Sequence, residues 1–220
     1  MTQFLKDWAV RALGTWLEGE AGPTPPQCPS CGLSEATPAT MYRCFDCYHP
    51  PTVCLACIVR DHQHNPFHRV EEWDSSKRFW RRRMLGDLGL VIFLGHDGGK
   101  CPRSSSEPRH MTIVHNHGVD TMSVHFCACL SQGNVTPTPQ PLQLLQFGLF
   151  PGSWEQPMTA FVVDMLRDFH LLSLQSQINA HDYYTFLRRS TNNVFPETVP
   201  VSCAYRVEFD VWSNAGIGSI

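Results

Sequence analysis

Between Cys28 and His68 the chain places three Cys-x-x-Cys pairs, Cys28/Cys31, Cys44/Cys47 and Cys54/Cys57, ahead of a histidine cluster formed by His62, His64 and His68. No other feature restricts the fold as strongly. A Cys-x-x-Cys knuckle lets two thiolates from one tight turn reach a single ion at about 2.3 Å, so each pair is half of a tetrahedral zinc site. Three pairs and the histidines make four half-sites, enough for two ions. Half-sites can be shared in chain order or interleaved, first with third and second with fourth. The short separation of the middle two pairs favours interleaving. Cys28, Cys31, Cys54 and Cys57 then hold one ion, and Cys44, Cys47, His68 and either His62 or His64 hold the other. His62 is taken as the ligand because it clears the end of the Cys57 knuckle and leaves Pro66 and Phe67 to turn the chain before His68.

The competing use of ten cysteines is a disulfide framework, which needs an oxidising compartment. The opening MTQFLKDWAVRALGTWLEGE lacks the apolar region of a secretory signal, and Asp7, Glu18 and Glu20 argue against a mitochondrial presequence. The longest apolar run, Leu88 to Leu94, is too short for a bilayer. A soluble intracellular protein is therefore expected, with zinc in place of disulfides. Metal would supply folding energy on the order of 10 kcal/mol per site, which a segment so poor in aliphatic residues cannot replace by burial. The net charge of -3 and pI near 6.4 exclude a global cationic surface, so any DNA contact must be local.

Along the chain, Phe4, Leu5, Trp8, Ala12, Leu13, Trp16 and Leu17 recur at helical intervals, predicting an amphipathic helix within residues 1–22 whose apolar stripe packs on the rest of the protein. Gly22, Pro23, Pro25 and Pro26 end it and open a finger over residues 23–74. LGLVIFLG reads as a buried strand, and HMTIVHN and DTMSVHFC as a hairpin turning at His117 and Gly118. SQGNVTPTPQP reads as a loop. Helices are expected over Phe161–Leu174 and His181–Arg189.

The run SSKRFWRRRM carries Lys77, Arg78, Arg81, Arg82 and Arg83 interleaved with Phe79 and Trp80. Guanidinium groups grip phosphates and aromatic rings stack on bases, which makes this run the best candidate for a nucleic-acid contact, against the plain alternative of a solvated basic linker. Enzymatic readings find less support. Asp164 and Asp168 lie four apart on a helix without a third acid to complete a nuclease-like site, and are expected on a solvated face. His115, His117 and His125 have no marked nucleophile beside them and are expected as strand-surface or core residues. The protein is expected to have no catalytic residues and no small-molecule substrate.

The stretch MYRCFDCYHPPTVCLACIVRDHQHNPFHRVEEW resembles the ZZ and B-box class of crossed-brace zinc fingers, which are interaction modules. Together with LGLVIFLGHDGGKCP, the FCAC pair, LLQFGLFP, TAFVVDMLRDFHLLSLQSQINAHDYYTFLRR and STNN, the chain resembles the CxC-type cysteine cluster domain associated with fungal KDZ (Kyakuja, Dileera, Zisupton) transposases, over roughly residues 1 to 195. That resemblance implies a domain beside or upstream of an RNase H-like transposase core. The family's name points to Cys127 and Cys129, and with His96 and Cys101 they supply four donors for a third zinc ion. Residues 196–220 depart from the resemblance, as a truncated or diverged tail would.

These observations predict an α+β protein: a small zinc-stabilised crossed-brace module, then a strand-hairpin and helical module over residues 75–195. The expected role is a nuclear, zinc-binding, non-catalytic accessory domain of a KDZ-type transposase associating with DNA or chromatin; the alternative is a module binding a histone tail or a transposase peptide.

Overall fold

The structure is a computed structural model and describes residues 2–23, 27–32, 40–104, 107–130 and 136–200. The chain divides into two units, Met1–His62 with His68–Met84, and Gln63–Phe67 with Leu85–Ile220.

The first unit begins with α1 (Thr2–Asp7) and α2 (Ala9–Gly19), separated at Trp8, whose φ of -120° leaves the helical region. The single helix expected here is thus broken. Its apolar stripe also stays unpacked: α2 buries none of its residues, and Trp8, Leu13, Trp16 and Leu17 are all more than half exposed. The contacts that join this end of the chain to the unit lie at the end of α2 and just after it. Glu20 pairs with Arg43 at 2.6 Å, the Gly19 carbonyl accepts from Arg43, and Gly22 lies so close to the Trp73 ring that a Cβ there would fall 2.3 Å from it.

After the helices come β1 (Met41–Cys44), β2 (Val53–Cys54), α3 (Leu55–Asp61), β3 (Val70–Asp74) and β4 (Phe79–Arg83). The strands form an antiparallel sheet in the order β2-β1-β3-β4. Its described apolar core is small: Met41, Tyr42, Val53, Ile58 and Val70, with Cys28, Cys44 and Cys57. The basic run is not a linker. It turns at Arg78, where φ is 56° and the Asp74 carboxylate accepts from the Ser76 and Lys77 amides, and then pairs with β3 along its length. Alternating charge on the facing strands, Glu71 and Glu72 against Arg82 and Arg81, makes that pairing favourable.

The second unit holds β5 (Val91–Phe93), β6 (Arg109–His115), β7 (Gly118–His125), α4 (Gln140–Gln146), β8 (Leu149–Pro151), β9 (Thr159–Val162), α5 (Val163–Ser176) and α6 (Ala180–Thr191). Its sheet runs β5-β7-β6-β9-β8, with the β6-β7 hairpin at the centre turning through Asn116 and His117. The helices α5 and α6 bury Met165, Leu166, Tyr183 and Leu187 against Val114 and Phe161. Asn179 caps α6 by accepting from the Asp182 amide at 2.9 Å.

Two further expectations need correction. Phe161 and Val162 belong to β9, not to the helix, because their β-branched and aromatic side chains pair with β6 and β8 before α5 starts. The loop read across SQGNVTPTPQP ends early: residues 131–135 lie outside the described residues, and Pro141 stands in the first turn of α4, where the missing N–H has no intrahelical partner to lose. In the tail, residues 196–200 are described and Val199 is buried; Cys203 lies outside the described residues.

Gly118 allows α6 to approach the sheet. Its φ is 150°, a Cβ would fall 2.2 Å from Thr191 Oγ1, and that oxygen accepts from the Val119 amide at 2.7 Å while donating to the Leu187 carbonyl. Gly118→Ala is expected to destabilise the unit by about 1–3 kcal/mol, through backbone strain and loss of the Thr191 bridge. A chemical unfolding curve with an unchanged midpoint would contradict this.

Candidate metal centres

The structure gathers the donors into three four-residue clusters, Cys28/Cys31/Cys54/Cys57, Cys44/Cys47/His62/His68 and His96/Cys101/Cys127/Cys129, each with its ligand atoms within 4.8 Å of one another. The first two interleave along the chain. Antiparallel pairing of β1 with both β2 and β3 explains the order, since it brings the Cys54 knuckle back past Met41 and carries His68 alongside Cys44.

In the first cluster Cys31 Sγ lies 3.7 Å from Cys54 Sγ, and the Cys54 amide donates to Cys28 Sγ at 3.3 Å. Burial would raise the Cys28 thiol, but amide donation from Cys54, Cys31 and Ser30 brings it down to about 6. Burial and the neighbouring thiols push Cys57 up to about 12.

In the second cluster His68 Nδ1 lies 3.5 Å from Cys44 Sγ and 3.4 Å from Cys47 Sγ, and His62 Nε2 lies 3.6 Å from Cys47 Sγ. His62 follows the last residue of α3, and its Nδ1 sits 2.8 Å from the Ile58 carbonyl, so that nitrogen carries the proton and Nε2 is left as the donor. His64 is not in the cluster; it belongs to the second unit, beside Gly98. The Cys44 thiol is lowered by hydrogen bonds from His62 and the Cys47 and Asp46 amides, against its burial. Burial and the Cys44 thiol push Cys47 up to about 11. Spacing gave no hint of Asp46, between the two cysteines. Its carboxylate accepts from the Arg69 amide at 2.6 Å and pairs with the Arg69 guanidinium, tying one half-site to the residue after His68.

In the third cluster His96 Nε2 lies 3.4 Å from both Cys127 Sγ and Cys129 Sγ, and Cys101 Sγ lies 3.7 Å from each of the same two atoms. The loop that presents His96 runs through positive φ at Gly95, His96, Asp97 and Gly98. For His96 this is a conformation costing on the order of 1 kcal/mol, and it turns the ring onto the thiols. Burial opposes ionisation of Cys101, but the Ala128 and Arg103 amides bring its thiol down to about 5, while burial and the adjoining thiols push Cys129 up to about 11.

Tetrahedral geometry with metal–sulfur bonds of about 2.3 Å and metal–nitrogen bonds of about 2.05 Å puts ligand atoms about 3.8 Å apart for S···S and about 3.55 Å for S···N. The separations in the structure, 3.7 Å for S···S and 3.4 to 3.6 Å for S···N, match these edges and are far too long for disulfides. All three clusters can therefore hold a metal ion.

The other candidate residues fall as follows. Arg81 pairs with Asp74 at 3.0 Å and Arg83 with Glu72 at 3.1 Å, so part of the cationic charge of Lys77–Arg83 is balanced within its own hairpin; Glu71, opposite Arg82 in the ladder, pairs with Arg43 at 2.6 Å. Asp164 is exposed and paired with Arg167, and Asp168 accepts from Asn116, so the two form no paired-carboxylate site. His115 is buried, 3.2 Å from Asp120, and His125 is buried in β7. No described helix is long and apolar enough to cross a membrane.

Fold and site define a metal-binding domain built on cysteine and histidine clusters. Residues 85–195 match the family model described as CxC2 like cysteine cluster associated with KDZ transposases, and the chain belongs to that family. The match takes in the third cluster and begins C-terminal to the first two. Neither the curated proteins nor the solved structures contain a match.

Proposed function

We propose that the chain is a non-catalytic, zinc-binding accessory domain of a KDZ-type transposase, acting in the nucleus on chromatin-associated partners. The observation that carries this reading is the closure of each of the three clusters: four protein donors, all within 4.8 Å of one another, fill a tetrahedral coordination and leave no position for a substrate or an activated water. Thiolate and imidazole donors suit zinc and disfavour the hard, oxygen-seeking magnesium and calcium. Zinc in such a setting supplies folding energy and fixes the shape of loops. Native mass spectrometry is expected to find three zinc ions per chain, and two in Cys127→Ser. Fewer than two in the unaltered protein would overturn the reading, as would divalent-metal-dependent strand cleavage by the zinc-loaded chain.

Between DNA and protein as the partner of the first unit, protein is favoured. The interleaved pair of centres supports a crossed-brace interaction module of the ZZ or B-box kind, and the basic strand commits Arg81 to Asp74 and Arg83 to Glu72. Duplex binding is accordingly expected to be weak. If Lys77, Arg78, Arg81, Arg82 and Arg83 each neutralised a phosphate, the logarithm of affinity would fall against the logarithm of salt with a slope near about -4.5. A measured slope of that size would restore the DNA reading.

A further inference from the structure

Gln143 is only 4% exposed, on a helix where Pro141 and Leu144 are also buried. A leucine would fill that space, yet the side-chain amide is committed to backbone. Its Oε1 accepts from the Cys127 amide at 2.8 Å, and its Nε2 donates to the Cys127 carbonyl at 2.9 Å and to the Thr138 carbonyl at 2.7 Å. Only one orientation of the amide works, because turning it over would set its oxygen against two carbonyls and its NH2 against an N–H.

One side chain therefore does for Cys127 what a neighbouring strand does inside a sheet: it satisfies both backbone groups of a residue two positions past the end of β7. The next two amides are then aimed at sulfur, Ala128 toward Cys101 Sγ at 3.5 Å and Cys129 toward Cys127 Sγ at 3.4 Å. We infer that Gln143 is the positioning residue of the third metal centre, clamping the Cys127 backbone so that the Cys127 and Cys129 thiols stand in ligating geometry before an ion arrives. The inference rests on the metal reading of that cluster. Groups that orient metal ligands without touching the ion typically change affinity ten- to a hundredfold when removed.

The test is chelator competition on the full zinc-loaded chain, comparing wild type, Gln143→Met, Gln143→Glu and the exposed control Gln146→Met, with Cys127→Ser marking which ion belongs to the third centre. Gln143→Met is expected to give up one ion at about ten- to hundredfold lower chelator concentration, with the other two ions and the Gln146→Met chain unchanged. Gln143→Glu is expected to follow it, since a carboxylate oxygen would face the Cys127 and Thr138 carbonyls. Wild-type retention of the third ion by Gln143→Met, with only a lowered melting temperature, would make Gln143 a packing residue and overturn the clamp alone. If wild type and Cys127→Ser hold equal numbers of ions, the metal reading of the cluster fails and the clamp fails with it. Should Gln143→Met not fold, amide exchange decides: in Cys101→Ser, which lacks the third centre, slow exchange at the Cys127 amide supports the clamp, and exchange as fast as an exposed loop overturns it.

Discussion

Removing metal is expected to unfold the first unit while the five-stranded sheet of the second keeps its structure. In the first unit the described apolar core amounts to Met41, Tyr42, Val53, Ile58 and Val70, around which the two clusters are built. A structural zinc site contributes on the order of 10 kcal/mol to folding, and a whole domain is typically stable by only about 5–15 kcal/mol. Loss of two ions exceeds what such a core can replace. The second unit buries Val114, Phe161, Met165, Leu166 and Leu187 completely or nearly so, and this core needs no ion. Hydrogen exchange followed by mass spectrometry reads the difference: with excess chelator, peptides from residues 41–83 should lose protection, while peptides from residues 149–169 should retain it. Protection that survives across residues 41–83 would show that burial alone holds the finger.

The second large effect is expected at Phe161. This side chain is fully buried in β9, opposite Val114 on one neighbouring strand and Phe150 on the other. Phe161→Ala removes a ring from the point where the sheet meets α5 and α6, and the rigid strands on both sides restrict collapse into the space. A loss of about 3–5 kcal/mol is expected, a large share of the stability of a domain this size. Urea unfolding monitored in the second unit checks it. A cost under about 1 kcal/mol would mean that the site repacks and that the core is looser than its burial indicates.

The local chemistry is legible in the amino-acid sequence. A Cys-x-x-Cys pair is a half-site because two thiols three residues apart converge within one turn, whatever the rest of the chain does. The β6-β7 hairpin is legible from its two strand-like stretches, though its turn lies one residue earlier than expected, at Asn116 and His117, with Gly118 already in β7 and paired to His115; α6 is legible over His181–Arg189. Other elements are not. Phe161 and Val162 carry a spacing that continues smoothly into α5, so a strand ending where a helix begins looks like one longer helix. The prolines around α4 read as a loop, since a proline in a first helical turn and one in a loop are alike without the following hydrogen bonds. The N-terminal stripe has the periodicity of a packed helix and lies exposed, because amphipathic spacing records a face without saying what covers it.

Which atoms are available to a metal, in what pairs, and which segments must turn tightly to present them follow from the amino-acid sequence, for these depend on neighbours within a few residues. The tertiary structure settles between interleaved and in-order half-sites, a choice spacing only favoured, and it sets which nitrogen of His62 faces the thiols and lays the basic run against Glu71 and Glu72. It alone showed that Gln143, sixteen residues beyond Cys127, completes the backbone pairing of that cysteine. The physical reason is the same in each case. These choices rest on strand register and on the burial of polar groups, which form only when segments far apart in the chain are brought into contact.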